Sequence, residues 1–134
     1  MRRGWIALAT ALTLWAGGAT GALACRFAPA KDPVSHLARA DVAFVGRVIG
    51  TRPIRGREGE IETRFQVTRT LKGPAAPVRL VQQNTTTTCG DVDFRPGQTV
   101  LVLAVKVEGR LATSTMLRPQ FPVADYERAA RKVR

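Results

Sequence analysis

The chain has 134 residues, which suffices for one domain, and its ordinary apolar share of 45% without a Gly or Pro repeat excludes disordered and collagen-like proteins. Its 21 Lys and Arg residues exceed its 10 Asp and Glu residues, so the formal charge of +11 favours polyanionic partners, with an inert basic surface as the alternative. Two cysteines and one histidine are too few for a structural zinc site or for a small protein built on many disulfides.

Residues 1–24 have the three parts of a secretory signal peptide. Arg2 and Arg3 form its charged start, and Trp5–Trp15 is an apolar run without a charge. The segment Ala22–Ala24 has small residues at the two positions that a signal peptidase reads. The sequence therefore predicts an exported protein, in the periplasm or the extracellular space.

Cleavage after Ala24 would make Cys25 the first residue of the mature protein. An uncleaved membrane anchor is one alternative, although the apolar run is short and followed by glycines. A lipoprotein acylated on Cys25 is the other, although Leu23 lies one place later than the leucine of that motif. We predict no transmembrane segment after cleavage.

Two helices are predicted, one near each end of the mature chain. The first covers Val34–Ala40, with Asp32 as N-cap and Pro33 in the first turn. Its His36, the only histidine, is expected to be solvated and to have no ligand or catalytic role. The second covers Val123–Arg134 and is expected to be a solvated, partly frayed basic tail. Its apolar stripe consists of Val123, Tyr126, Ala130 and Val133.

Five strands are predicted between these helices, because β-branched and aromatic runs are bounded there by turn residues. They cover Val42–Gly50, Ile61–Leu71, Val78–Gln83, Gln98–Val107 and Leu111–Leu117. The second strand alternates, which predicts one face formed by Ile61, Thr63, Phe65, Val67 and Arg69. The fourth is so apolar that we expect burial on both faces, and Glu108–Arg110 is predicted to be the hairpin turn that follows it.

Five strands without βαβ spacing predict a mainly β protein, either a small antiparallel barrel or a sandwich. Closure into a barrel would remove exposed strand edges, which a chain of this size otherwise has to cover. The predicted organisation is a signal peptide at 1–24, a β domain at 25–118 and a basic helical tail at 119–134.

Several segments in a fixed order suggest a family. They are a signal peptide ending at a cysteine, Ala40–Val48, Phe65–Gly73, Cys89–Gly90, Val100–Ala104 and Gly109–Ser114. Their order and spacing resemble the bacterial branch of the netrin-like family, which shares the fold of the tissue inhibitors of metalloproteases. The resemblance implies a five-stranded OB-like antiparallel barrel for the β domain.

The resemblance also implies a disulfide between Cys25 and Cys89. The family's second cysteine pair is missing, because Phe27 stands at one of its positions and Thr115-Met116 at the other. Both partners of that pair are lost together, so no orphan thiol is left. A bond closing so long a loop contributes about 4 kcal/mol in the chain-entropy model. Two free thiols are the alternative if the chain is not exported.

For function, the resemblance implies inhibition of a zinc metalloprotease by the mature N-terminus. The α-amine and carbonyl of Cys25 would chelate the zinc of the protease, and the side chain of Arg26 would enter its specificity pocket. A free α-amine has a pKa near 7.7 to 8.0, so a neutral fraction exists at physiological pH. The inhibitor would need no metal of its own.

The alternative function is a binding module that acts through a basic barrel face. Its predicted residues lie on neighbouring strands: Arg47, Arg64, Arg69 and Arg79. OB barrels bind oligonucleotides or oligosaccharides, but only Phe44 and Phe65 lie near these arginines in sequence, which argues against stacking on nucleic acid. Anionic glycans, lipid head groups or another protein are therefore the predicted partners.

No pattern in the sequence indicates catalysis. The chain has no second histidine, no Cys-x-x-Cys, no Gly-rich phosphate loop and no spacing typical of a Ser-His-Asp triad. Asp91 and Asp93 lie beside Pro96-Gly97 and are expected to form a turn. We predict a protein that is not an enzyme and needs no cofactor.

Overall fold

A computed structural model describes residues 28–133. The predicted signal peptide, Cys25 and Arg26 lie outside this range. The described chain is mainly β, as predicted, with five strands and two α-helices. The elements in chain order are α1 Pro33–Ala38, β1 Val42–Pro53, β2 Glu60–Lys72, β3 Val78–Asn84, β4 Thr99–Val107, β5 Arg110–Ala112, a 3-10 helix at Thr115–Leu117, and α2 Val123–Lys132. Between residues 28 and 133, neither helix has the length and apolar character needed to span a bilayer.

The five strands form one mixed sheet whose order, β1-β2-β3-β5-β4, closes when β4 pairs with β1. Four of the neighbouring pairs are antiparallel, but β3 and β5 are parallel. The prediction of a wholly antiparallel sheet is therefore wrong. The reason is parity: an odd number of strands cannot alternate in direction around a closed order, so one neighbouring pair has to be parallel.

Strand β1 is buried on both faces at its start, which divides the core into two layers. Val42 and Phe44 pack inside the closed sheet with Phe65 of β2. Ala43 packs on the outer side of the sheet, in a layer that includes residues of both helices. Strand β4 behaves in the same way, because all four residues of Leu101–Ala104 are buried, and this confirms the predicted burial of its two faces.

Helix α1 begins at the predicted cap. The Asp32 carboxylate accepts a hydrogen bond from the Ser35 backbone N–H at 2.7 Å, and the Ser35 hydroxyl accepts one from the Asp32 N–H at 3.2 Å. This reciprocal capping box satisfies two N–H groups that the helix leaves without partners. At the other end, the Lys72 ammonium donates to the carbonyls of Leu37 and Ala40. Lys72 thereby ties the end of α1 to the end of β2.

The prediction of a solvated C-terminal tail is wrong. Tyr126, Ala129 and Ala130 of α2 are buried against α1 and the outer face of the sheet. The apolar stripe is visible in the sequence, but its packing partner, α1, lies far away in the chain. Only the ends of the predicted stripe, Val123 and Val133, remain exposed.

The prediction of a solvated His36 is also wrong. Its side chain is fully buried, because α1 rests on α2 and turns this residue towards Tyr126. The Nδ1 atom of His36 lies 2.7 Å from the Tyr126 hydroxyl. The histidine is therefore part of the contact between the two helices.

Strand β5 is shorter than predicted, because pairing ends at Ala112 and the chain then enters the 3-10 helix. The Thr113 hydroxyl donates to the Leu103 carbonyl at 2.8 Å, which anchors this exit from the sheet. The predicted turn is present: Glu108 and Gly109 have φ values of 51° and 75°. Two successive residues with positive φ are typical of the tight two-residue hairpin turn.

Candidate anion-binding cleft

Of the two cysteines in the predicted disulfide, only Cys89 lies among the described residues. Cys89 is partly buried in the connection between β3 and β4. No cysteine between residues 28 and 133 is free. The pairing of Cys25 with Cys89 stays a prediction, as does the protease-contacting role of Cys25 and Arg26.

Three of the four predicted basic residues, Arg47, Arg64 and Arg79, do not lie on one face of the sheet. Arg47 of β1 is opposite Gln66 of β2, and Arg64 lies two residues before Gln66, so both side chains project outward and are exposed. Arg79 of β3 is opposite Phe65, whose ring is buried inside the sheet. Arg79 therefore projects from the other side of the sheet, where its guanidinium donates to the Pro74 carbonyl.

The prediction that Arg69 and Phe65 lie on the same face of β2 is wrong. Val67 is opposite Gly46 but Arg69 is opposite Val45, so Thr68 is an extra residue in β2, a β-bulge. The bulge rotates Arg69 to the outer face, where its Nη1 atom lies 2.6 Å from the Glu127 carboxylate on α2. The structure does not gather the four predicted arginines into one surface.

A different set of arginines lines a cleft of about 940 Å³ beside the start of β3 and the β4–β5 hairpin. We name it the arginine cleft. Its lining residues come from the end of β1, from the β1–β2 connection, from β2 and β3, and from the β4–β5 hairpin. They are Arg52, Pro53, Ile54, Arg55, Glu62, Val78, Arg79, Leu80, Gln82, Gly109, Arg110 and Leu111. Of the predicted residues, only Arg79 belongs to it.

The charge of the arginine cleft is strongly unbalanced. Glu62 is the only carboxylate among its described residues, and Arg52 neutralises it through Nη2 and Nε, at 2.8 and 3.1 Å from Oε1. Within residues 28–133, no carboxylate forms an ion pair with Arg55, Arg79 or Arg110. Arg55, Arg79 and Arg110 therefore have no acidic partner among the described residues, and the guanidinium of Arg79 is bonded to the Pro74 carbonyl.

The cleft exists because β3 and β5 separate soon after they meet. Their parallel ladder contains only the pairs Val81–Leu111 and Gln82–Ala112. The hairpin turn joins β5 to β4, and Arg110 at the start of β5 lines the opening. The start of β3, which carries Arg79, is open to the cleft for the same reason.

Gly59 holds the β1–β2 connection, which carries Arg55, in place. It has a φ of 75°, and a Cβ atom added to it would overlap with Cγ2 of Thr86. Its carbonyl accepts hydrogen bonds from the N–H and the hydroxyl of Thr85, at 2.7 and 2.8 Å. Glycine is therefore required here both by the backbone conformation and by the close approach of a neighbouring loop.

The strand patterns in the sequence do not identify Arg52, Arg55 and Arg110, because these residues lie at strand ends and in connections, outside the regular part of each strand. The predicted OB-like barrel offers a signal, since the ligand sites of OB barrels involve the connections between strands 1 and 2 and between strands 4 and 5. Arg55 lies in the first of these connections and Arg110 directly follows the second.

The cleft has the chemistry of an anion site. Its described lining contains no His, Cys, Ser or Thr, and its one carboxylate is occupied by Arg52. Within residues 28–133 no three His, Cys, Asp or Glu side chains are grouped in a way that could hold a metal ion. Arginine binds carboxylate, sulfate and phosphate groups through two parallel N–H donors.

Comparison of the chain with protein-family models and with curated proteins finds no match. The resemblance to the netrin-like family therefore stays a prediction that depends on the segments quoted above.

Proposed function

We propose that this chain is an exported, non-enzymatic OB-like module that binds an extended anionic ligand in the arginine cleft. Export follows from the predicted signal peptide at residues 1–24. One observation carries the proposal: arginines from the β1–β2 connection, from β3 and from the β4–β5 hairpin line one cleft whose only described carboxylate is already paired.

The position of the cleft agrees with an OB-like barrel. Ligands of that fold lie on strands 2 and 3, between the connections of strands 1–2 and 4–5. Here the cleft includes Glu62 of β2, Leu80 of β3, Arg55 of the first connection and Gly109 of the second. The closed order of five strands supports the same assignment.

The lining of the cleft narrows the class of ligand. Its described residues include no aromatic side chain, so they offer no platform on which nucleic-acid bases could stack. Phe44 and Phe65, the aromatic residues of β1 and β2, are fully buried. A chain with regularly spaced carboxylate, sulfate or phosphate groups fits this composition, and its binding weakens as salt screens the charges.

The test compares two double variants that remove the same charge. Arg55→Ser with Arg110→Ser removes two unpaired guanidinium groups of the cleft. Arg47→Ser with Arg131→Ser removes two exposed arginines that lie outside the cleft and form no ion pair with a described residue.

On a heparin column the cleft variant should elute at lower salt than the control. Its affinity for a heparin oligosaccharide should fall roughly tenfold or more, since each lost charge-assisted bond costs about 1 kcal/mol or more. The control variant should show a smaller loss of affinity, the loss that follows from its lower net charge alone. Equal elution of the two variants would contradict the proposal.

A second candidate function is inhibition of a zinc metalloprotease through Cys25 and Arg26. It is supported by the absence of a free cysteine among residues 28–133, because Cys25 is the only other cysteine to which Cys89 can bond within this chain. A disulfide there would hold the mature N-terminus rigid and so lower the entropic cost of its binding to a protease.

A further inference from the structure

We propose that the arginine cleft takes its ligand as a β-strand: an extended acidic segment of a partner protein pairs with the free edge of β3. This inference rests on the proposed function of the cleft. It narrows the ligand from anionic chains in general to a polypeptide of alternating acidic and aliphatic residues.

The free edge arises from unequal pairing on the two sides of β3. Towards β2, β3 is paired along its whole length, from Val78 to Asn84. Towards β5, it is paired only at Val81 and Gln82. Among the described residues, the first three of β3 therefore have no paired residue in β5, and all three line the cleft. Of their backbone groups on that side, only the Leu80 carbonyl is directed to β5, through the Val81–Leu111 pair.

The register decides which backbone groups face the cleft. The Val67 N–H donates to the Pro77 carbonyl at 2.9 Å, so in this antiparallel ladder Arg79, two residues later, also bonds towards β2. Val78 and Leu80 direct their backbone groups to the opposite side. Gln82, the next residue of that set, uses its carbonyl to accept from the Thr113 N–H at 2.9 Å. The N–H groups of Val78 and Leu80 are thus aligned at the cleft as a strand partner requires.

The side chains beside this edge are aliphatic and exposed, so contact with a peptide would remove apolar surface from water. Val78 and Leu80 are 38% and 44% exposed, and they lie next to one another on the outer face. Proteins normally protect a free edge with charges, prolines or a covering segment. Pro77 and Arg79 are residues of that kind, but the two exposed aliphatic residues beside them are suited to the aliphatic positions of an added strand, which pack against same-face neighbours.

The acidic positions of the partner follow from the arginines that flank the edge. Arg55 and Arg110 line the same cleft as Val78 and Leu80, and neither forms an ion pair with a described carboxylate. A strand advances about 3.3 Å per residue with alternating side chains, so a short segment covers the free edge. Backbone pairing gives affinity in such strand addition, and side-chain contacts give specificity. A sulfated glycan offers charges but no N–H and C=O groups in register.

The experiment uses a labelled, end-capped peptide of alternating Glu and Val and two N-methylated forms of it. One form is methylated on the odd residues and the other on the even residues. An added strand uses one set of N–H groups to pair with β3, so we expect one methylated form to bind at least tenfold more weakly and the other to bind like the parent. Equal binding of all three peptides would overturn strand addition, because charge alone does not distinguish them.

A matched variant tests the same edge from the protein side. Leu80→Pro removes an N–H that faces the cleft and leaves the bonds of its neighbours to β2, as proline at a free strand edge does. The variant should no longer bind the peptide but should elute from the heparin column at the same salt concentration as the wild type. Loss of both ligands, or of neither, would contradict strand addition; if the variant does not fold, the methylated peptides decide on the wild-type protein.

A heparin oligosaccharide separates this inference from the proposed function. If heparin binds through Arg55 and Arg110 while the peptide does not bind, strand addition is wrong and the cleft is a glycan site. If neither heparin nor the peptide distinguishes the Arg55→Ser, Arg110→Ser variant from the wild type, the proposed function fails as well.

Discussion

The Nδ1 atom of His36 and the hydroxyl of Tyr126 lie 2.7 Å apart, although the residues are 90 positions apart in sequence and both are fully buried. The Tyr126 oxygen also accepts a hydrogen bond from the Gln120 N–H at 2.9 Å. We assign the hydroxyl as the donor and Nδ1 as the acceptor, because this tautomer gives the buried hydroxyl proton a partner. It places the histidine proton on Nε2, which is buried and has no hydrogen-bond partner among the described residues. This pair connects α1 to α2 and to the segment that precedes α2.

Tyr126→Phe should lower the free energy of unfolding by about 1–3 kcal/mol. The substitution keeps the ring but leaves His36 Nδ1 and the Gln120 N–H without the oxygen they share, and an unsatisfied buried polar group costs about that much. Urea unfolding followed by circular dichroism measures the difference. The control is Phe121→Leu, which changes a ring that contacts Tyr126 but removes no side-chain hydrogen bond. A wild-type midpoint for Tyr126→Phe would contradict the assigned hydrogen bonds.

Acid should destabilise the fold through His36. Burial lowers the pKa of His36 below its ordinary value of 6.5, and the nearby charge of Arg39 lowers it further, although the Met116 carbonyl acts in the opposite direction. The unfolded chain therefore binds the proton more readily than the folded protein. Stability from the neutral histidine is present above pH 6.5 and is lost as the pH falls from 6.5 towards the lower folded pKa, by at most about 1.4 kcal/mol per pH unit.

Urea unfolding at pH 7.5 and pH 5 measures this loss, since the two values bracket the ordinary pKa of histidine, about 6.5. His36→Gln, which does not titrate in this range, should be less stable at the higher pH but should lose less stability on acidification. The same pH dependence in the wild type and in His36→Gln would assign the effect to other groups.

Gly59→Ala should be far more damaging than Gly56→Ala. Both glycines have a positive φ, 75° and 78°, so an alanine at either position is strained by about 1 kcal/mol. A Cβ atom meets nothing within 4 Å at Gly56 but overlaps with Thr86 Cγ2 at Gly59. Thermal unfolding should rank the variants accordingly, and Thr86→Ser, which removes the clashing methyl group, should partly rescue Gly59→Ala. Equal losses at the two glycines would contradict this account.

Mass spectrometry of the exported protein should detect a mature chain that starts at Cys25 and is lighter by two hydrogens than its reduced form. This result is expected because the predicted signal peptide ends at Ala24 and the chain contains two cysteines. An acylated terminus would instead identify a lipoprotein and exclude chelation of zinc by the α-amine.

Inhibition of zinc endopeptidases should depend on a free α-amine at Cys25. One alanine added before Cys25 moves the amine away from the carbonyl with which it would chelate the metal, so it should abolish inhibition. A panel of enzymes assayed with both forms provides the measurement. Equal inhibition by the two forms would rule out the chelation mechanism.

Local patterns in the sequence are sufficient to predict most elements. The cap at Asp32 and the apolar run of β4 depend on neighbouring residues, and both predictions are confirmed. The bulge at Thr68 is not predictable in this way, because alternation in the sequence continues through it while the pairing with β1 does not. The burial of His36 depends on Tyr126, which lies on the other helix, so the sequence around His36 does not indicate it.

The candidate site is harder to predict than the fold. Strand patterns direct attention to arginines in the middle of strands, whereas the cleft gathers them from strand ends and connections, as Arg55 and Arg110 show. Their proximity follows from the early separation of β3 and β5, which depends on the closed order of the sheet. No local pattern contains that information.

The position of β1 between β2 and β4 also affects how the domain is completed during synthesis. Val42 pairs with Ala104 and Arg47 with Thr99, so one edge of β1 has no partner strand until β4 has been synthesised. Until then the growing chain carries an apolar strand with a bare edge, a state that is prone to aggregation. Fragments that end before β4 should therefore be unable to fold, and the domain is a unit that assembles only when nearly all of it has been made.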